Sequence, residues 1–530
     1  MRTLVLLAAT VLALTACGPK QAAKTCAPGH KCLHIGNVID PESIDPQHVG
    51  NKNDDNVVGN LMMGLTTGDM NDNAIPGMAE RWDVSPDGKV WTFHLREAAW
   101  SDGHPFTADD FVFGLRRVLD PETASNVAYL IYFIEGAQAF NEGKAPADAV
   151  GVKALDDRTL EIRLIHPVPY LPQMAKHHSM FPAPRHIVEK YGDEWTKEHY
   201  VSNGAYTFES WRLGDRLKLV KNPRFFDAAN VCLDELYFYP TTDAIAAERR
   251  VLRGELDWNN DMQSNRIPRL RRDAPDYVRI NTTLATTYLA FRANDPKFKD
   301  VRVRRALSMA VDREFITSQL LRGGQKPAFT FIPPGIANYG AAPTPDWAAW
   351  PYERRKAEAR RLLAEAGYGP GHPLRFEITH RNTADPSLIM PAIQADWADI
   401  GVQVTLQSLE GQIAYQSYRA RAFQMADATW SGDYDDPKTF LDQMRSEAGQ
   451  MNYGDYSNPA YDALIDQADN EADVVKRAAI LARAEAMMLA DAPIVPIYFW
   501  VNKNLVNPKV TGFGGAIMDN HRARWMCVKG

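Results

Sequence analysis

A leader sets the first constraint on what this chain can fold into, because it fixes the compartment. Arg2 is followed by Leu4 to Ala16, thirteen residues interrupted only by Thr10 and Thr15. A positive start and an apolar run this short, below the ~20 residues of a membrane-spanning helix, predict a secretory signal over 1–16. It ends in Leu14-Thr15-Ala16-Cys17, which matches a lipobox and predicts lipidation of Cys17. Acyl chains anchor by burying hydrocarbon, so 17–32 would tether a folded body to a membrane surface without inserting it. The alternative is plain cleavage near Ala16 beside an incidental cysteine. No later segment is long and apolar enough to span.

Export decides how the remaining cysteines are read. Cys26, Cys32, Cys232 and Cys527 are an even number in an oxidising compartment, and four cysteines allow three connectivities. The short Cys26/Cys32 spacing favours a local loop, leaving Cys232 to pin Cys527. Zinc needs clustered ligands with CxxC-like spacing, which is absent, so no metal is predicted.

The chain has 530 residues, more than one compact lobe, because single cores rarely grow beyond about 250–300 residues. With 66 acidic and 59 basic residues it is mildly acidic and has no basic block, which excludes general nucleic-acid binding. Strand and helix signals alternate without an internal repeat. Arg81–Ser85 and Val90–Leu95 flank Pro86-Asp87-Gly88 and predict a half-buried hairpin. Thr107 is placed to cap a helix to Leu119, with Asp110 at its third position. A second hairpin runs through Tyr206, Phe208 and Trp211, turns at Gly214-Asp215 and returns through Leu217 and Leu219. Asp300 opens a helix with Val303, Leu307, Val311 and Phe315 on one stripe, closed by Gly323-Gly324. Another helix spans Glu353 to Ala366 and stops at Gly367. The sum is a mixed α/β chain with several sheets.

Few segments carry the pattern of a reaction centre. Asp69, Asn71, Asn73 and Glu80 fall at calcium-loop positions, but Ala74 stands where the sharp turn needs glycine, so a polar hairpin loop is the better reading. Gly367 to Gly371 is glycine-rich but follows a helix, whereas a phosphate loop follows a strand. Adjacent His177 and His178 point apart on any regular element and are assigned to an exposed loop. No nucleophile elbow, HExxH or Walker loop is present, so the chain is not predicted to be an enzyme and no cofactor is implied. The stretch from Asp427 through Trp430, Ser431, Asp433 and Tyr434 to Pro437 differs. Aromatic rings surround carboxylates in a loop punctuated by Gly432 and Pro437, a pattern that can hold an amine or cation where water is excluded. A solvated acidic loop with structural aromatics is the competing reading.

In its context that loop carries a resemblance. Asp40-Pro41-Glu42-Ser43-Ile44-Asp45-Pro46, Ala79-Glu80-Arg81-Trp82, Val90 to Arg96, Trp100-Ser101-Asp102-Gly103 and Asp120-Pro121 occur in that order. Val201 to Tyr206, Asp300 to Arg304 with Ala306-Leu307, and Leu362 to Tyr368 follow. The chain resembles the periplasmic oligopeptide-binding proteins of ABC importers, extracellular solute-binding protein family 5, over nearly its whole mature length. The resemblance implies an α/β periplasmic binding protein-like fold, two main lobes plus an inserted extra lobe around a ligand cleft. Lobe I would comprise 33–58, 185–285 and 499–530, lobe II 59–184 and lobe III 286–498. A Cys232–Cys527 bridge would join two pieces of lobe I.

The same resemblance implies a monomeric receptor that takes short peptides and passes them to an ABC permease and ATPase complex. Asp433 would hold the ligand's α-amine, with Trp430 and Ser431 beside it and Asn260, or else Asn259, lining the pocket. Three departures bear on specificity. Asp427 replaces an arginine common in the family, Gly50 replaces an acid while Lys52 stands nearby, and Ser387 replaces a histidine that can meet the ligand's carboxylate. An inverted pair, Lys52 facing Asp427, is therefore expected, which leaves room for a cationic or C-terminally modified ligand. Alternatives that keep the fold are a cell-wall peptide, a metal chelate or a small cationic solute. Alternatives of another class are a secreted hydrolase and a periplasmic chaperone.

Overall fold

The structure, a computed structural model, describes residues 26–529. The predicted leader over 1–16, the lipidation site Cys17 and most of the 17–32 tether lie outside the described residues.

Two long strands, Val278–Phe291 and Ile494–Val506, run antiparallel and organise the molecule. They lie in the middle of an eleven-stranded sheet, ten strands in one continuous order and the short Lys326–Pro327 pairing with Ile494–Val506 beside it. Beyond Val278–Phe291 come Met425–Ser431, Arg375–Arg381 and Gln403–Leu409. Beyond Ile494–Val506 come Trp258–Asn259, Cys32–Gly36, Glu235–Tyr239, Arg216–Lys221 and Tyr206–Arg212. The two long strands lose register between Thr282, opposite Val501, and Thr286, opposite Phe499. Such a bulge kinks a strand pair and raises its twist. It separates residues that pair toward Cys32–Gly36 from residues that pair toward Met425–Ser431.

The apolar cores follow the same division. One cluster joins Leu33, Ile35, Trp195 and Leu236 to Phe93, Leu115 and Leu160 of the 59–184 region, without a break between them. Two others, around Phe376 and Trp397 and around Tyr461 and Leu481, lie wholly within residues 284–498.

Local signals translate well. The first hairpin is Ala79–Val84 paired with Val90–Leu95 in a four-stranded sheet, with Trp91, Phe93 and Leu95 facing inward. The second pairs Tyr206–Arg212 with Arg216–Lys221. The helix Ala108–Leu119 starts where Asp110 accepts the Thr107 N–H at 2.8 Å. The Tyr352–Glu365 helix ends before Gly367, whose φ of +88° suits glycine. Asp69 sits in a polar loop between Thr66–Gly68 and Ala74–Pro76 and accepts the N–H groups of Asn71 and Asn73.

The helix expected from Asp300 is corrected. It spans Val301–Met309, then breaks, and Asp312 caps a fresh turn by accepting the Phe315 N–H. Val303, Leu307 and Val311 are buried but Phe315 is 45% exposed. The break lets the buried Arg313 guanidinium donate to the carbonyls of Ser308, Ala328 and Pro496. Those bonds outweigh one more apolar residue on the stripe, since an unpaired buried cation is far costlier.

Disulfides join Cys26 to Cys32 and Cys232 to Cys527. The second closes a separation of 295 residues and holds the C-terminus against the strand Glu235–Tyr239 side of the sheet. No helix among the described residues is long and apolar enough to cross a membrane.

Candidate ligand-binding cleft

The strand Met425–Ser431 delivers the aromatic-acidic loop to the gap between the cores. At Gly432 the chain turns, its N–H donating to the Leu284 carbonyl at 2.7 Å. A Cβ at this position would fall 3.0 Å from the Thr439 side chain and 3.1 Å from that of Phe440, so a larger residue would have to push these neighbours aside by a few tenths of an ångström. The next N–H, of Asp433, donates to Thr439 Oγ1 at 3.1 Å.

Each carboxylate near this loop has a different fate. Asp427, fully buried, accepts from Arg381 Nε at 2.9 Å, Arg381 Nη2 at 2.7 Å and Tyr418 Oη at 2.8 Å. Asp436, also fully buried, takes two bonds of 2.8 Å from Arg477. Asp435 accepts the Ala337 N–H at 2.8 Å. Asp433 has only the Tyr129 hydroxyl, which donates at 3.3 Å, and no Lys, Arg or His among the described residues pairs with it. Burial pushes its carboxyl up to about 6, a rise the Tyr129 hydrogen bond only partly opposes.

Asp433 lies where two cavities meet. One, of about 230 Å3, is bounded by Ser431, Asp433 and Asp435 on the loop and by Lys52, His178 and Arg522 opposite. The other, of about 260 Å3, continues along Tyr129, Tyr132, Phe133, Tyr170, Trp430 and Met451. Trp430 is partly buried and its indole N–H lacks a hydrogen-bond partner. One wall of each cavity comes from residues before 180 and the other from residues after 430, so a ligand here would touch both halves of the molecule.

The expected site residues divide accordingly. Asp433, Trp430, Ser431 and Lys52 line the joined cavities. Asn260 lies apart at the end of Trp258–Asn259, its Nδ2 donating to Asn37 at 3.5 Å and its buried Oδ1 unpaired. Asn259 is buried and accepts from the Thr241 hydroxyl at 2.9 Å. Ser387 is exposed on the helix Ala384–Asp399.

Two expectations are overturned. Lys52 does not face Asp427. Its ammonium meets the Met518 carbonyl at 3.2 Å, Asp55 at 3.5 Å and the Asn520 side chain, whereas Asp427 is closed off by Arg381. A charge buried this deeply needs a partner in direct contact, and Arg381 on the neighbouring strand supplies two bonds. The His177-His178 pair is not an exposed loop. His178 is buried and its ring lies 3.9 Å from that of His177, because the start of the Lys52–Leu61 helix and the Met518–Arg522 segment cover them.

Sequence reading missed Tyr129, Tyr170 and Arg381. The aromatic run Tyr129, Tyr132 and Phe133 was a usable signal; the reach of Arg381 to a carboxylate 46 residues away was not.

The chain matches the bacterial extracellular solute-binding proteins, family 5 Middle, over residues 73–452. It is 37% identical over 500 residues to the periplasmic oligopeptide-binding protein OppA of Escherichia coli K12, covering 93% of this chain and 91% of that protein. It is also 37% identical over 488 residues to YgiS of the same organism, a probable deoxycholate-binding periplasmic protein, covering 91% and 90%. Among solved structures, Haemophilus influenzae OppA in complex with RPPGFSPFR superposes at a TM-score of 0.78 and 33% identity, covering 94% of this chain and 99% of that one. With a fold, a cleft and a sequence match that agree over most of its length, this chain belongs to the bacterial extracellular solute-binding proteins of family 5.

Proposed function

We propose that the protein is a receptor for short peptides that closes on its ligand and delivers it to an ABC permease and ATPase complex. Asp433 holds the ligand's α-amine. The observation that carries this reading is the asymmetry among the loop carboxylates: Asp427 and Asp436 are each paired with an arginine, whereas Asp433 and Asp435 each have a single neutral partner, and of these two only Asp433 lies at the junction of the cavities. An ammonium would supply the missing charge, and such charge-assisted bonds gain strength where water is excluded. Trp430 offers an unpaired N–H and an apolar face to the same ligand. The peptide held by the Haemophilus influenzae relative supports a peptide ligand in this fold.

The assembly follows from the same reading. Lobe I comprises 33–58, 185–285 and 499–530, lobe II 59–184 and lobe III 286–498, and the hinge is the register shift around Thr282–Thr286. Ligand binding selects the closed arrangement by touching both sides. Cys17 carries the lipid that tethers a monomer at the extracytoplasmic membrane surface. The protein binds and releases its ligand without converting it.

A second reading keeps the fold and changes the ligand to a non-peptide solute. The apolar wall of Tyr132, Phe133, Tyr170, Trp430 and Met451 favours it, as does the relative named for deoxycholate. Native mass spectrometry of gently purified protein separates the two. A ladder of short peptides that disappears in Asp433→Ala supports the peptide reading; a single non-peptide mass contradicts it.

A further inference from the structure

The wall facing Asp433 across the first cavity is built for the opposite charge. Lys52 and Arg522 share one carboxylate, Asp55, at 3.5 and 3.1 Å. Both cations hold Asp55 well below the usual carboxylate range despite its burial. Lys176 is separately neutralised by Asp72 at 2.9 Å. The remaining partners of Lys52 are neutral oxygens, Met518 O and Asn520 Oδ1. Two cations on one anion leave one positive charge over, on a lysine whose side chain is 38% exposed to the cavity.

Two further features point the same way. Lys52 opens a ten-residue helix, and helix N-termini favour negative charge. His178 is 7% exposed and lines the cavity with its Nδ1 3.5 Å from Asp55, so a third nitrogen-bearing side chain crowds the one carboxylate. The acids on the loop side do not cancel this wall. The charge of Asp433 is taken by the ligand's amine, and burial pushes the Asp435 carboxyl up while the Ala337 N–H holds it.

We propose that Lys52 and Arg522, beside His178, form an anion subsite that takes the carboxylate of an acidic side chain close to the ligand's N-terminus. The proposal rests on the peptide reading above and narrows it to peptides that carry Asp or Glu near the anchored amine. Asp433 and Lys52 line one cavity of about 230 Å3, so amine and carboxylate must come from the same end of the ligand.

The test is calorimetry with C-terminally amidated tripeptides, which removes the other carboxylate. Glu-Ala-Ala-amide and Ala-Glu-Ala-amide are compared with their Gln counterparts. The wild type is expected to favour Glu at one of these positions by about five- to tenfold, allowing for the partial exposure of Lys52. Lys52→Met should reduce the ratio to within about twofold, and Lys52→Arg should restore it. Equal Glu and Gln affinities, or a preference that survives in Lys52→Met, would overturn the proposal. A preference for free-acid Ala-Ala-Ala over its amide, without a Glu/Gln difference, would overturn the side-chain assignment. N-acetylated copies of the same peptides test the amine anchor separately: if acetylation is harmless, Asp433 is not the anchor, while the Glu/Gln ratio and its dependence on Lys52 still decide the subsite.

Discussion

Tyr170 and Tyr434 stack face to face across the cleft, ring centroids 5.2 Å apart and planes within 4°. Tyr170 belongs to the core that contains residues 33–238, while Tyr434 follows Asp433 on the loop from the other half. The Arg477 guanidinium, already paired with Asp436, lies 4.8 Å from the Tyr170 ring. The loop therefore grips the opposite wall twice, through Asp433 to Tyr129 and through Tyr434 to Tyr170, so its amine anchor and its clasp move as one piece.

Removing the clasp should loosen the closed form without changing what is recognised. Tyr434→Ala is expected to weaken peptide affinity about fivefold, chiefly through faster dissociation, since a stacked aromatic pair is worth about 0.5–1.5 kcal/mol beyond its buried area. Tyr434→Phe keeps the ring and should stay within about twofold. Stopped-flow dissociation rates check both.

The Arg381–Asp427 pair predicts a larger structural effect. Asp427→Ala leaves the Arg381 guanidinium, whose side chain is 13% exposed, without its carboxylate. Breaking a buried pair from one side costs about 3–5 kcal/mol, whereas losing both partners costs less. The single variant should therefore be less stable in urea than the double variant Arg381→Met/Asp427→Leu. A double variant as unstable as the single one would contradict the pairing.

Glu485 gives a prediction about stability and pH. It is fully buried, accepts the N–H groups of Phe331 and Ile332 at 2.9 Å, and its carboxyl is pushed up to about 7 by burial. From its ordinary value of 4.5 to about 7, the folded chain keeps a proton that the unfolded chain has lost. Stability from this group is thus complete below about 4.5 and is lost as pH rises to about 7, on the order of 3 kcal/mol in all. Glu485→Gln keeps the acceptor for both N–H groups and should flatten urea stability across that window.

The pattern of successes and failures in the sequence reading has a physical basis. Hairpins and caps such as Pro86-Asp87-Gly88 and Thr107 with Asp110 are settled within a few residues, and they were legible. The loop that carries Asp433 stood out because aromatic and acidic residues crowd one short stretch, while the choice of Asp433 within it came from the family resemblance. The partners of Asp427 and Lys52 were not legible, because Arg381, Met518 and Asn520 arrive through strand pairing and a returning C-terminus. The burial of His178 was hidden for the same reason. The helix break at Asp312 was hidden because the carbonyls that hold Arg313 belong to residues 328 and 496 as well as 308.

Protonation of Asp433 should govern binding at low pH. Its carboxyl sits at about 6 in the unliganded protein, and an ammonium ligand favours the ionised form. Binding below about pH 6 must therefore release a proton, and affinity should fall toward tenfold per pH unit there, stay flat at about pH 7, and fall again above about 8 as the peptide's own α-amine deprotonates. Calorimetry in buffers of different ionisation heat should detect a released proton at pH 5, almost none near pH 7, and proton uptake by the peptide amine above about 8.

The most direct test of the account compares one peptide with a free N-terminus and the same peptide acetylated, each titrated into wild type and into Asp433→Asn. The account predicts tight binding only for the free amine on the wild type, with acetylation and Asp433→Asn each costing at least tenfold and no further loss when combined. Equal affinity for the free and acetylated peptides on the wild type would contradict it.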